Sequence, residues 1–393
     1  MEEDIGLGSP EDMEHLAFKR FSDGKIKDGL KLLLRAAKGY ESEGMKEDAA
    51  RLYKYLGLLL VRKIGSVEKA RPSLLKSAYL YLDMIDSELA KPEVDVDLLD
   101  EYCTNVLEIF LTLKDERNLI KYAEEFTTIY EDLAEAYKDN ADVSMAVRAY
   151  EIAYIYYRMI GNEEGYKRIS ETMITLYGQL AEERLEKGDV EKAADAFYRL
   201  ATFIHALFGY DIHFIEMMDT AAKNYEKAGK LAYSSGNLPK TTTLLVKAQY
   251  AYLLARNTSR AKLIGINTVK MLNQLVKSYR SVGDEESASK KLVELGEALI
   301  GIGKLEEGFQ AYKKALEVLT GLEPKTRVRL AVLKKFASER GDAEVLEKIE
   351  LVEYYLSRGK QSRALDIAEK ALIVIPDVER ILELLHRAEG IYE

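Results

Sequence analysis

The chain has 393 residues, of which 47% are hydrophobic, and its formal net charge is −10. This composition provides enough apolar material to bury a large core. A single cysteine excludes a disulfide framework within the chain and favours a reducing compartment. Apolar runs such as residues 58–61 are far too short for a membrane-spanning helix, and the acidic N-terminus lacks the basic and apolar regions of a signal peptide. We therefore expect a cytoplasmic protein with no membrane insertion, and its abundant Glu and Lys beside little Gln favour a thermophilic source.

Helix-forming residues dominate from one end of the chain to the other, and no segment alternates with the period of a strand. The sequence predicts an all-α protein with roughly seventeen helices. Ser9 before Pro10 predicts the first helix start, and Ser66 predicts another. The helix breaks are predicted near Gly24, Gly44, Gly65, Pro92, Lys114, Asp139, Gly161, Gly188, Gly209, Gly236, Asn257, Gly283, Gly303, Pro324, Gly341, Gly359 and Pro376.

A spacing pattern recurs at many of these breaks. A glycine is followed five residues later by a small residue, then four later by a bulky one, and three later by another small one. Copies are Gly303, Gly308, Tyr312, Ala315 and Gly24, Gly29, Leu33, Ala36, and Gly359, Ala364, Ala368, Ala371 keeps the spacing with Ala at the bulky position. The glycine ends one helix, and the small residues allow the next helix to cross closely against it.

This pattern resembles the tetratricopeptide repeat, and the long tyrosine-rich helices in the middle resemble the soluble NSF attachment protein branch. The resemblance implies a right-handed superhelical solenoid of antiparallel helix hairpins that binds other macromolecules. We expect an acidic tail over residues 1–9 and one continuous array over residues 10–392. A subdivision near residues 92–100 is the alternative, because that acidic join is the least repeat-like.

No residue pattern indicates catalysis, a cofactor or a metal site, so we expect a protein that is not an enzyme. Gly301 to Lys304 is the nearest approach to a phosphate-binding loop, but Ala298 stands where the loop needs glycine. His205 and His213 are expected to be separated by a helix break at Gly209, and no second ligand pair completes a zinc set. The inner repeat positions hold acidic residues such as Glu294, which would repel the C-terminal carboxylate that some tetratricopeptide domains clamp.

The charge distribution is the strongest functional signal. Residues 227–283 contain ten basic residues and no Asp or Glu, although about ten acids would be expected from the frequency of 67 in 393. The side chains proposed to dock a partner here are Lys240, Lys247, Arg256, Arg260, Lys262, Lys270, Lys277 and Arg280. Lys and Arg in such a run favour contact with phosphate groups. Pairing with acidic helices of the same chain, and contact with an acidic protein, are the alternatives.

The opposite charge pole lies between residues 83 and 101. Four of its acids are expected to contact a basic protein or the basic window of a second copy of the chain: Asp95, Asp97, Asp100 and Glu101. An ordinary solvated surface is the alternative.

These features favour a scaffold that docks on a large assembly, with the ribosome or another ribonucleoprotein particle as the first choice. Homodimerisation through the two poles is compatible with the same features. A protein-only adaptor that braces helical partners, and a regulator that senses a peptide or small ligand, remain open as alternatives.

Overall fold

A computed structural model describes residues 8–376 and 378–390. These residues form eighteen α-helices and no β-strand, so the predicted all-α fold is confirmed for them. The helices are α1 (Pro10–Ser22), α2 (Ile26–Ser42), α3 (Lys46–Ile64), α4 (Val67–Leu89), α5 (Val96–Leu113), α6 (Glu116–Asp139), α7 (Val143–Met159), α8 (Glu163–Glu186), α9 (Val190–Phe208), α10 (Ile212–Ser234), α11 (Leu238–Leu254), α12 (Thr258–Ser281), α13 (Glu285–Gly301), α14 (Leu305–Leu316), α15 (Leu322–Arg340), α16 (Ala343–Ser357), α17 (Gln361–Leu372) and α18 (Val378–Glu389). There is one helix more than expected, because seventeen breaks divide a chain into eighteen segments. Most of the predicted tail, residues 1–7, and the array's last residues, 391–392, lie outside the described part.

The helices end close to the breaks that the sequence predicts. Gly65 and Gly303 leave their helices with φ of 69° and 87°, a backbone conformation that side chains with a Cβ rarely adopt. Ser9 caps α1 as predicted, since its hydroxyl accepts from the Asp12 N–H at 3.2 Å and Asp12 accepts from the Ser9 N–H at 2.9 Å. This reciprocal capping fixes where the first helix starts.

The small residues of the repeat lie where helices approach closely. A Cβ built on Gly308 in α14 would lie 2.8 Å from the Ile300 Cγ1 and 3.0 Å from the Gly296 carbonyl oxygen in α13. The hairpin of α13 and α14 therefore has the crossing that the spacing pattern predicts, because nothing larger than hydrogen fits between the two backbones.

The described residues fall into two compact units that meet in the chain at Tyr166 and Lys167, inside the first turn of α8. The division does not lie near residues 92–100, where the alternative placed it. In that region α4 packs on α5, and the acidic join between them is a short connection within the first unit.

In the first unit, consecutive helices pack on one another from α1 to α7. Its core contains fully buried tyrosines such as Tyr130 and Tyr156. Cys103 on α5 is also fully buried, and this burial raises the pKa of its thiol well above the ordinary value.

The second unit is built in layers around α11 and α13. The long helices α10 and α12 flank α11, and α12 also packs on α13. From another direction α15 packs on both α11 and α13, while α16 contacts α9. Since α11 and α13 are contacted from several sides, most of their residues are buried.

Candidate docking surface

The acid-free window covers the last third of α10, all of α11 and all of α12. Asn237 and Asn257 start α11 and α12 by accepting hydrogen bonds from the N–H groups of Lys240 and Arg260 at 3.0 and 3.4 Å. Asn and Asp are about equally favoured at such capping positions, and the choice of Asn keeps both turns free of negative charge.

Six of the ten basic residues of the window are held by side chains of the same unit. Five of them pair with acids, and their ion pairs are Lys230 and Arg260 with Glu226, Lys240 with Glu191, Lys247 with Asp195, and Arg280 with Glu285. Arg256 lies 4.6 Å over the ring of Tyr210. Of the eight side chains proposed for docking, five therefore already have a partner within the chain.

Glu226 is the centre of the tightest of these pairings. It accepts from Arg260 Nε at 3.0 Å, from the Tyr252 hydroxyl at 3.0 Å, and from Lys230 Nζ at 2.7 Å. Burial alone would raise the pKa of Glu226, but these hydrogen bonds, led by that of Arg260, lower it to about 2. The network ties α10, α11 and α12 together, so Arg260 has a structural role.

Four exposed lysines of the window have no acidic side chain within ion-pairing distance in the part of the chain that the structure describes. These are Lys227 on α10 and Lys262, Lys270 and Lys277 on α12. The three on α12 are spaced by eight and seven residues, so they follow one face of the helix at intervals of roughly 10–12 Å. The candidate docking surface on α12 is therefore reduced to Lys262, Lys270 and Lys277, which we call the lysine row.

A further basic stretch, residues 325–335, lies on α15, and four of its five basic side chains pair with acids of the same unit. Arg327 pairs with Glu297 at 2.8 Å, and Lys334 pairs with Glu353 at 2.5 Å. Glu294 is likewise buried, where Lys291 contacts it at 2.9 Å. The inner acidic positions of α13 are therefore paired within the unit, and they line a small cavity of about 170 Å³ between α11, α13 and α15.

The acidic pole of the first unit is also largely engaged. Asp95 caps α5, and Asp97 pairs with Arg148 at 2.6 Å. Asp100 is only 6% exposed and accepts a hydrogen bond from the Tyr156 hydroxyl at 2.8 Å, so its proposed contact with a basic partner is wrong. Glu101 is exposed on α5.

Two surface grooves flank α12. A groove of about 440 Å³ lies between α10 and α12 above α11, with Tyr233, Leu245 and Leu263 among its lining residues. A larger one of about 1040 Å³ lies among α12, α13, α14 and α18, with Lys277 and Arg280 on its rim and Leu292 among its apolar residues. The sequence analysis predicted neither groove, although the apolar residues inside the basic window can be seen in the sequence.

Within the described ranges, no three His, Cys, Asp or Glu side chains are grouped as metal ligands. His205 is buried on α9, where its Nδ1 lies 3.6 Å from Glu350 of α16, and His213 is exposed on α10 beyond the break at Gly209. No helix among these residues combines the length and apolar character needed to cross a bilayer.

No protein-family model matches the chain, and no curated protein matches it significantly. Among solved structures, it is similar to yeast Tom70, with 13% identity and a TM-score of 0.28, over 97% of this chain and 95% of that one. It is also similar to a circular tandem repeat protein (16% identity, TM-score 0.27, covering 97% and 96%) and to the TPR domain of P58(IPK) (15%, 0.19, covering 97% and 98%). Because these TM-scores are low, the assignment of the fold rests on the chain's own hairpins and their close crossings. On that basis the chain is an all-helical array of tetratricopeptide-like hairpins.

Proposed function

We propose that this chain is a non-enzymatic scaffold of the cytoplasm that docks on a ribosome or another RNA–protein particle through the lysine row of α12 and Lys227. The observation that carries the proposal is the exposed face of α12. Over 24 residues this helix has no carboxylate, and Lys262, Lys270 and Lys277 stand on it with no acidic partner among the described residues. Because these three lysines have no acidic partner among the described residues, their charge is available to an anionic partner.

Phosphate is the anion that this surface fits. Lysines at intervals of roughly 10–12 Å can each contact a separate phosphate of a nucleic-acid backbone, and each contact releases counterions. Asn267 and Gln274 are exposed on the same helix and offer hydrogen-bonding amides to the backbone. Lys262, Lys270 and Lys277 are all exposed, so a large particle can reach them.

The test reverses the three unpaired lysines of α12, as Lys262→Glu, Lys270→Glu and Lys277→Glu together, and measures co-sedimentation with ribosomes across a salt series. Arg260 is left in place, because its loss would open the Glu226 network. If each lysine contacts a phosphate, the plot of log binding constant against log salt concentration should be less steep for the variant than for the wild type. The difference in slope should be about 2 units, at about 0.7 per contact. The wild type should also bind RNA isolated from the ribosomes, and this binding should be lost when the RNA is digested with RNase.

The matched control is the reversal of Lys27, Lys31 and Lys38, three exposed lysines of α2 that change the net charge by the same amount. This control should bind like the wild type. Equal loss in both triple variants would show that only net charge matters, and binding that ignores both salt and the α12 reversal would reject phosphate docking.

A further inference from the structure

The lysine row lies beside the larger groove, the one of about 1040 Å³ that is bordered by α12, α13, α14 and α18. Lys277 belongs to both, since it is also one of the residues that line the groove. Lys262 precedes Val269, another lining residue, by seven positions and therefore lies on the same face of α12. The positive surface of α12 thus continues into a groove that three further helices border.

Cations of two helices meet at one end of this groove. The turns at residues 282–284 and 302–304 are short, so α12 and α14 both run antiparallel to α13, and both end beside its first turns. Lys277 and Arg280 lie in the last two turns of α12, and Lys313 and Lys314 lie in the last turn of α14. All four side chains line the groove, so this end carries positive charge on two of its helices.

Part of this charge has no acidic partner. Lys314, like Lys277, is exposed and has no acidic side chain within ion-pairing distance among the described residues. Arg280 contacts Glu285 at 3.4 Å, and both side chains of that pair stay more than 40% exposed. An exposed pair of this kind is weak, so Arg280 can exchange its partner for another anion.

The acids of the groove lie at its other end. Glu306 and Glu307 belong to the first turn of α14, where they pair with Arg380 and Lys304. The fifth cation of the lining, Arg387 of α18, pairs with an acid of its own helix. The basic end of the groove therefore attracts an anion, and the acids at the far end are already neutralised.

The floor of the groove leaves little apolar surface uncovered. Leu292 is 4%, Leu295 6% and Phe309 2% exposed. A protein partner would find few apolar contacts on this floor, and Phe309 offers no open ring face on which a base can stack. The exposed amides of Asn273 and Gln310 line the groove from α12 and α14, where they can bond to phosphate or ribose oxygens.

We propose that the larger groove binds a single strand of RNA by its phosphate backbone, without reading its bases. The phosphates of the strand contact Lys277, Arg280 and Lys314 at the basic end. Cations of α12 and α14 can both reach one strand that lies between them, whereas a rigid duplex is restricted to the outer lysine row. The proposal rests on the proposed RNA docking and deepens it, because it names the form of RNA that the surface takes.

The experiment measures fluorescence anisotropy of a labelled oligouridine of about 12 nucleotides with the full chain, and of the same strand annealed to its complement. The variants are Lys314→Glu and, as an independent change on another helix, Arg387→Gln. Neither residue belongs to the lysine row. Lys370→Glu is the matched control, because Lys370 is an exposed lysine of α17 in the same unit and does not line the groove. Circular dichroism checks that all variants fold.

We expect the single strand to bind the wild type more tightly than the duplex, and an oligoadenosine of equal length to bind as the oligouridine does. Near a salt concentration of about 0.15 M, Lys314→Glu should bind the strand at least roughly threefold more weakly, with a salt slope that is less steep by about 0.7. Arg387→Gln should weaken binding in the same direction, and Lys370→Glu should bind like the wild type.

Four outcomes overturn the proposal. They are equal or tighter binding of the duplex, binding that is unchanged in both groove variants, and a loss in Lys370→Glu as large as that in Lys314→Glu. The fourth is binding of an oligoglutamate peptide of equal length but not of the RNA, which would identify an acidic protein as the occupant.

This result can be separated from the proposed docking on a particle. Lys314→Glu is also tested in the ribosome sedimentation assay, and the triple lysine reversal is tested with the single strand, which it should weaken because it includes Lys277. Ribosome binding that depends on the lysine row, in a chain that does not prefer the single strand, leaves the docking standing and rejects the groove. Strand binding that depends on Lys314, in a chain that does not bind ribosomes, leaves the groove standing and rejects the docking.

Discussion

A single carboxylate connects three helices of the second unit. Glu226 of α10 accepts hydrogen bonds from Lys230 of its own helix, from Tyr252 of α11 and from Arg260 of α12. Each bond to a charged group is worth more than one between neutral groups, and here they act together in a largely buried position.

We therefore predict that Glu226→Gln lowers the free energy of unfolding at neutral pH by roughly 2 kcal/mol. The pKa of Glu226 is about 2 in the folded chain, below its ordinary value of 4.5, so its contribution is present above that ordinary value. As the pH falls from about 5 towards 2, the wild type loses this contribution and the gap between the two proteins narrows. Urea unfolding at a series of pH values measures the gap.

Glu216→Gln is the matched control, because Glu216 is an exposed carboxylate on the same helix. It should change the unfolding free energy little at any pH. A Glu226→Gln deficit that stays constant down to pH 2 would mean that the ionised carboxylate is not what stabilises the contact.

At the level of helices, close crossings and long-range ion pairs hold the second unit together. The crossing of α13 on α14 depends on Gly296 and Gly308, whose facing backbones leave no room for a side chain. The covering of α13 by α15 depends on pairs such as Arg327 with Glu297, in which the buried carboxylate needs its cationic partner.

We predict that Gly308→Leu destabilises the chain by about 1–3 kcal/mol, because the added side chain forces α14 away from the backbone of α13. Gly308→Ala should destabilise in the same direction but less. Gly178→Ala is the control: that helical glycine has open space around its Cβ position, so the change should stabilise slightly through helix propensity. Thermal unfolding of the three variants checks this, and equal melting temperatures would refute the close crossing.

The elements show what the sequence could reveal. Helix breaks and close crossings are local features, since they depend on residues such as Gly303 and Gly308 at fixed spacing, and both were predicted. The pairing of Lys240 with Glu191, or of Arg327 with Glu297, joins positions about 30 to 50 residues apart. No helical period brings such residues together, so the sequence could identify the basic window but not which of its cations are already paired. The groove between α10 and α12 depends on the same missing information, because it requires knowing that these two helices flank α11.

On the scale of the whole chain, the division into two units indicates separate cores. The boundary falls inside the first turn of α8, so a cut that respects the helices must be made at the preceding turn, near Gly161. Within the second unit, α9 contacts α16, where the Tyr198 hydroxyl donates to Glu353 at 3.2 Å. That contact closes the unit across a separation of 155 residues.

We predict that residues 162–393 expressed alone form a cooperatively unfolding helical protein, because this fragment keeps every contact described within the second unit. A fragment of residues 210–393 lacks α8 and α9 and exposes the face of α16 that α9 covers, so it should melt at a lower temperature and less cooperatively. Circular dichroism during thermal unfolding compares the two. If the longer fragment melts no more sharply than the shorter one, the second unit does not have a core of its own.

Because Cys103 is buried, its reaction with a thiol reagent can be used to follow the opening of the first unit alone. It is the chain's one cysteine, it lies in the core of the first unit, and its thiol reacts slowly both because it is covered and because its pKa is raised. A thiol reagent can modify it only when α5 and its neighbours open, so the labelling rate measures the equilibrium of that opening whenever reclosing is fast. In the unmodified wild-type chain, the labelling rate of Cys103 therefore reports local unfolding of the first unit and not of the second. Comparing the labelling rate with the global unfolding transition would show whether the two cores open together or one at a time.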